Sequence, residues 1–430
     1  MLCALSSSSN IRYHISEILA NHWNEFVSYW KEWIRPVVFE NVRKVLACRT
    51  PVLGCHIYHC NNCGHVELVP HSCKSRFCPT CGKHAADVWC NKVLNSLLDV
   101  PYHHLVLTIP WQLRRLILMN REEGLNLLCQ SATSAISQWA HDVKKMRMGI
   151  VLVIHTFGSD LKWHPHIHLI VTGGGLSLDG KCWLSTDPKY LMNHNGLKKR
   201  WRYQVITRLK KGHRKKKWRF PKSQSYFKKY YHFAGMLNQL WRITWYAYIG
   251  ASLLDPRFSV RYIGRYTKRA VIAEYRIVAY SGKSITFSYK DYAEGGKLSF
   301  LSLRINTFIG RLIRHIPDKY FPMIRYCGIF SNRWKDQYLA LASIALNPNQ
   351  SDSSDSKEKS SSSPASPSAS LPSWAKRQTE YTGINPLICP NCNQELAFVG
   401  AYFGNWKELQ LLFETVGKNP VIPLVLLPPG

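Results

Sequence analysis

The stretch Trp163-His164-Pro165-His166-Ile167-His168-Leu169-Ile170 decides how the chain is read. Polar and apolar residues alternate with the period of a β-strand, in which side chains two apart point the same way. His166 and His168 therefore share one face, and Ile167 and Leu169 face the other, toward a core. Two neutral imidazoles side by side grip one divalent cation. A third donor is needed, and His155 is the candidate. It ends the strand expected over Met148–His155, and the Phe157–Trp163 connection folds that strand back antiparallel, across from the pair. His164 is the alternative, although three ligands along one strand are stretched for a single ion. Isolated strand histidines are usually surface or hydrogen-bonded residues; four between positions 155 and 168, two in a His–hydrophobe–His register, favour a metal.

The flanking sequence extends this strand into an α+β fold. Residues 11–46 carry helical spacing, with Ile15, Ile18, Leu19, Trp23, Phe26 and Trp30 on one side. A strand is predicted from His103 to Ile109, closed by Pro110, then a helix over 121–147. The histidine strand, Trp163–Val171, ends at Gly173-Gly174-Gly175. Helices are predicted over 223–249 and 258–269, and a hairpin of Ala273–Ala279 and Ser284–Tyr289 turns at Ser281-Gly282. This order implies an antiparallel sheet carrying helices on one face. The glycine triplet lacks a Lys-Ser/Thr ending, so it is no nucleotide-binding loop and no ATP use is expected. The chain divides into an N-terminal helical segment (1–47), a zinc-binding DNA-recognition domain (48–95), a catalytic domain (96–345) with a basic insertion (198–222), a disordered Ser/Pro-rich linker (346–376) and a short tail (377–430).

Half of the fourteen cysteines lie between Cys55 and Cys90. The start, Met1-Leu2-Cys3-Ala4-Leu5, shows no signal peptide, and no apolar run is long enough to span a membrane, so metal binding in the cytoplasm, near nucleoid DNA, is expected. Cys60-Asn-Asn-Cys63 and Cys78-Pro-Thr-Cys81 are two thiolate pairs that together complete a tetrahedral site. A closed four-sulfur site leaves no open position, so this zinc is structural. Cys55 and Cys73 read as core thiols in preference to substitute ligands, and Cys389-Pro-Asn-Cys392 as half a site. Lys74 and Arg76, with Lys83, suit contact with DNA.

Tyr262 and Tyr266 are four apart, on one face of the predicted helix. A phenolate attacks a phosphodiester, holds the 5′-phosphate covalently and frees a 3′-hydroxyl. A bound Mg²⁺ or Mn²⁺ suits the charge that grows on the phosphoryl oxygens, and Arg265, Lys268 and Arg269 suit flanking phosphates. A tyrosine pair alone is more often core packing; the preceding histidine strand gives this one weight. The net charge of +31, from 57 Lys and Arg against 26 Asp and Glu, excludes an ordinary small-molecule enzyme and favours a polyanion. In the run Lys198–Lys222, Trp201, Tyr203 and Trp218 stack bases or, nearly as well, the run is a solvated basic loop. Asp160 orients a histidine or, more simply, sits in the hairpin turn.

With these residues the chain resembles HUH endonucleases, specifically the two-tyrosine rolling-circle transposases of the insertion-sequence ninety-one family. The resemblance rests on SCKSRFCPTCG in the cysteine segment, IHTFGSDLKWHPHIHLIVTGGGLS around the histidines and RYIGRYTKRAVI around the tyrosines, and continues through the segment from Ile324 to Asn332. It implies a five-stranded antiparallel nuclease core, His166 and His168 as paired metal ligands, and Tyr262 and Tyr266 as nucleophiles that cut and rejoin single-stranded DNA. It also implies a zinc domain that binds the element's end. A plasmid or phage replication initiator with the same chemistry, or a non-catalytic zinc DNA-binding protein, are the competing readings.

Overall fold

The computed structural model describes residues 13–94, 96–253, 260, 270–291, 294–347, 374–376, 379 and 383–403. They fall into two units: Met1–Asn41 with Pro79–Ser353, and Val42–Cys78 with Ser354–Gly430. In chain order the principal elements are α1 (Ile15–Trp30), α2 (Pro36–Leu46), β1 (Cys55–His59), β2 (Val66–Pro70), α3 (Pro79–Leu94) and β3 (Tyr102–Thr108). There follow α4 (Trp111–Met119), α5 (Arg121–Lys144), β4 (Met146–Phe157), β5 (Trp163–Ser177), β6 (Trp183–Ser185), α6 (His194–Arg214), α7 (Tyr230–Arg242) and β7 (Ala247–Leu253). The last are β8 (Ile277–Tyr280), β9 (Ser284–Asp291), β10 (Lys297–Arg304), α8 (Ile305–Arg314), β11 (Ile324–Gly328), α9 (Lys335–Leu346) and β12 (Ala397–Tyr402).

The larger unit is built on a six-stranded sheet with the path β11-β4-β5-β3-β7, and β6 paired to β5. All its pairings are antiparallel. It therefore has one strand more than the five-stranded core expected from the resemblance. Strand alternation sorts its side chains onto two faces. Leu105, Leu107, Ile150, Leu152, Ile154, Ile167, Leu169 and Val171 form one core with α4, α5, α6 and α7. Tyr102, Val151, Val153 and Ile170 form another with Trp89 and Val93 of α3 and Ala342 of α9. Helices thus cover both faces, where the sequence pattern predicted one. A second antiparallel sheet, β10-β9-β8, packs against α8, which also meets α1. Only two of its strands were expected.

Three local departures have physical causes. β5 does not stop at the glycines but runs through them to Ser177. A Cβ at Gly175 would sit 2.6 Å from the Arg147 carbonyl oxygen of β4, and one at Gly174 would sit 2.7 Å from the Leu184 carbonyl oxygen of β6. The glycines admit flanking backbone rather than breaking the strand. Gly175→Ala is expected to cost about 1–3 kcal/mol, read from the urea midpoint, because the obstacle is main chain and cannot swing aside. The basic insertion is largely helix α6, whose Leu197, Trp201, Val205, Ile206 and Leu209 are core. Trp201 and Trp218 are buried there, so neither is a base-stacking platform; Tyr203 is exposed. The helix predicted over 223–249 resolves into a 3₁₀ segment, α7 and the start of β7.

In the smaller unit β12, β1 and β2 form an antiparallel sheet with β1 central. The tail segment 397–402 is thus a strand of the cysteine-rich module.

Candidate active site and zinc-binding cysteines

β4 and β5 pair so that His155 lies directly across from His166, and Val153 across from His168. The ring centroids of His155 and His168 are 4.2 Å apart, those of His166 and His168 4.9 Å, and those of His155 and His166 5.3 Å. One ring nitrogen from each comes within 4.8 Å of the others. His164 is not in this group; its carbonyl instead accepts a hydrogen bond from His166 Nδ1 at 2.7 Å, which leaves His166 Nε2 to act as a ligand. Burial lowers His164 and His166 to about 4, and burial with the neighbouring imidazoles of His155, His166 and His104 pushes His168 well below 6.5. All are therefore neutral at pH 7, the form that ligates a cation.

Sequence reasoning overlooked His104. From β3 its Nε2 lies 2.8 Å from His168 Nδ1, with the two rings stacked at 5.1 Å and only 6° from parallel. With His168 Nδ1–H donating to His104, His168 Nε2 is the atom left for the metal. The available signal was its strand position: β3 pairs beside β5, and its even-numbered residues share the histidine face. Asp160 takes the turn role, accepting from the Lys162 backbone N–H at 3.1 Å and pairing with the Lys162 ammonium at 3.0 Å.

A further buried imidazole clamps the hairpin that carries these histidines. His315 Nδ1 accepts from the Thr156 hydroxyl at 3.1 Å, and its Nε2–H donates to the Leu161 carbonyl at 3.0 Å. Its ring stacks on Trp163, 10° from parallel. Burial pushes His315 down to about 3. Because this lies below the unfolded value of 6.5, the unfolded chain takes up the proton first on acidification. The stabilisation is complete above pH 6.5 and is lost progressively down to about pH 3. Wild type should therefore lose about 2 kcal/mol more than His315→Gln between pH 7 and pH 5. Equal acid dependence of the two urea midpoints would refute this.

Tyr262, Tyr266, Arg265, Lys268 and Arg269 lie outside the described residues. Val260, two positions before Tyr262, is described; it is buried in the core cluster on the histidine face, and its carbonyl accepts from Cys90 Sγ at 3.5 Å.

The cysteines do not assemble as their spacing suggested. Cys60 and Cys63 group with Cys389 and Cys392, whereas Cys78 and Cys81 group with Cys48 and Cys73. In each group the sulfurs lie within 4.8 Å of one another. The single site of Cys60, Cys63, Cys78 and Cys81 is thereby replaced by two, because each knuckle finds another partner pair. Cys55 is a core thiol beside Ile57 and Tyr402. Lys74 is exposed in a left-handed conformation with φ of 52°; Arg76 is half-buried, and burial lowers it to about 10.

Residues 149–337, which span the histidines and tyrosines, match a family model described as "Putative transposase", and residues 18–109 match one described as "Transposase zinc-binding domain". The chain is 31% identical over 376 residues to the transposase for insertion sequence element IS801 of Pseudomonas savastanoi pv. phaseolicola, covering 86% of this chain and 85% of that protein. The chain belongs to the IS91 family of transposases. This transposase is also 29% identical over 349 residues to "Putative transposase y4qJ" of Sinorhizobium fredii, covering 81% of this chain and 85% of that protein. No solved structure matches it. Membership makes it a DNA-cleaving, strand-transferring enzyme with a zinc-binding domain. Among the described residues no helix is long and apolar enough to cross a membrane.

Proposed function

We propose that this transposase nicks and rejoins single-stranded DNA through a 5′-phosphotyrosine intermediate, in rolling-circle transposition, by HUH endonuclease chemistry. The observation that carries the reading is the convergence of His155, His166 and His168 from two paired strands. A divalent cation held by these three supplies Lewis-acid polarisation of the scissile phosphate. Three imidazoles are a poor donor set for the oxygen-seeking Mg²⁺. His104 fixes the ring of His168, and His315 fixes the hairpin.

Tyr262 and Tyr266 are the nucleophiles. A phenol oxygen attacks phosphorus and gives up its proton, the tyrosyl–phosphate bond forms, and the bond to the 3′ oxygen breaks as that oxygen takes up a proton. The packing of Val260 on the histidine face supports this pairing of segments. Arg265, Lys268 and Arg269 hold flanking phosphates, and Lys74 contributes to DNA contact beside the zinc-bearing module. Arg76, partly exposed two residues further on, joins it in that contact. One zinc is structural, held by Cys48, Cys73, Cys78 and Cys81. The test is incubation with end-labelled single-stranded DNA and Mn²⁺ or Mg²⁺, resolved on a denaturing gel. A metal-dependent protein–DNA species is expected; its absence from folded, DNA-binding protein would sink the reading.

A further inference from the structure

We infer that Cys60, Cys63, Cys389 and Cys392 form a second structural zinc site, so that the tail closes the cysteine-rich module. The inference concerns the zinc-binding module alone and is independent of the nuclease reading.

The donor geometry is that of a four-thiolate centre. Cys60 Sγ lies 3.4 Å from Cys392 Sγ, and Cys63 Sγ lies 3.5 Å from Cys389 Sγ. A disulfide needs sulfurs about 2 Å apart. Thiolates about 2.3 Å from a tetrahedral zinc stand about 3.8 Å from one another, close to the separations here.

The backbone supplies a second, independent observation, because both pairs sit on the same turn. The Cys60 N–H donates to the His65 carbonyl at 2.8 Å, and the Gly64 N–H donates to the Cys60 carbonyl at 2.8 Å. In the tail the Cys389 N–H donates to the Gln394 carbonyl at 2.8 Å, and the Asn393 N–H donates to the Cys389 carbonyl at 3.0 Å. The residue after the second cysteine is left-handed in both, Gly64 at φ 71° and Asn393 at φ 58°. Two equivalent knuckles thus face each other, each pointing two sulfurs inward. Around them, Tyr58 and Leu396 are buried with Cys60 and Cys389, and Trp374 packs on that cluster. β12 leaves the second knuckle to pair with β1, which enters the first, in the register Cys55↔Tyr402 to His59↔Ala397.

The match to the zinc-binding domain model ends at residue 109, so that domain as matched contains only half of this site. The segment beyond the Ser-rich stretch is then an integral part of the module, tied to it by a metal as well as by a sheet.

Zinc content of the purified full chain tests this. Wild type should carry two zinc ions per chain. Cys60→Ser/Cys63→Ser and Cys389→Ser/Cys392→Ser should each carry one, and so should the variant lacking all four thiols, because both pairs serve one ion. A Cys389→Ser/Cys392→Ser variant with undiminished zinc would overturn the inference, as would losses from the two pairs that add. Should the variants misfold, mass-mapped alkylation of wild type decides. The exposed Cys63 and part-exposed Cys392 should both resist alkylation until a chelator is added and then react together. Labelling of either thiol that is indifferent to chelation would equally refute the site.

Discussion

Replacing Tyr262 and Tyr266 together by Phe is expected to abolish covalent attachment to single-stranded DNA while leaving DNA binding intact. Phe keeps the ring but removes the hydroxyl oxygen that would bond to phosphorus. Loss of a nucleophile typically lowers turnover on the order of 10⁴-fold or more. Binding should be spared, because affinity for a polyanion arises from the chain's net charge of +31, which the change leaves untouched. The single variants separate the two roles. If one tyrosine makes the first cut and its partner exchanges the link, one single variant loses the adduct. The other should accumulate it without rejoining. Two single variants that each nick and rejoin at the wild-type rate would remove both tyrosines from the chemistry.

How far the sequence was legible follows from the range of the interactions. The histidine strand could be read because its information is local: period-two alternation assigns the faces, and a short connection sets His155 against His166. The cysteine groupings could not, because CxxC spacing specifies a knuckle but not its partner. Cys60 and Cys389 are brought together by pairing of β1 with β12, which no local pattern announces. His104 escaped notice for a related reason, since its role depends on β3 lying beside β5 rather than on its own neighbours in the chain. The glycine triplet misled because glycine marks both strand ends and close backbone approach; only the positions of Arg147 and Leu184 distinguish the two. The basic run misled because its charges conceal a helical stripe. Leu197, Trp201, Val205 and Leu209 recur at helical spacing and carry the segment into the core. Several of its cations act within the fold: Arg202 donates to the Trp241 carbonyl, and Arg208 to Ser134. That helix covers the sheet face opposite the histidines.

Removing two imidazoles, as in His166→Ala/His168→Ala, should lower metal-dependent nicking on the order of 10³-fold or more, with folding preserved. His166 and His168 lie on the face opposite Ile167 and Leu169, so the truncations remove donors without emptying the apolar core around those two residues. His104→Gln provides a graded comparison. It leaves all three donors in place but loosens the orientation of His168, a change that characteristically weakens metal affinity 10–100-fold. Nicking by His104→Gln should therefore require more Mn²⁺ for half-maximal rate yet approach the wild-type rate at saturation. The double alanine variant should stay slow at every concentration. A purely structural role for His104 predicts something else: a lower urea midpoint and an unchanged metal titration. If the double alanine variant instead nicks at the wild-type rate throughout that titration, the histidine cluster is not where the phosphate is activated, and the assignment of His155, His166 and His168 as ligands for catalysis falls with it.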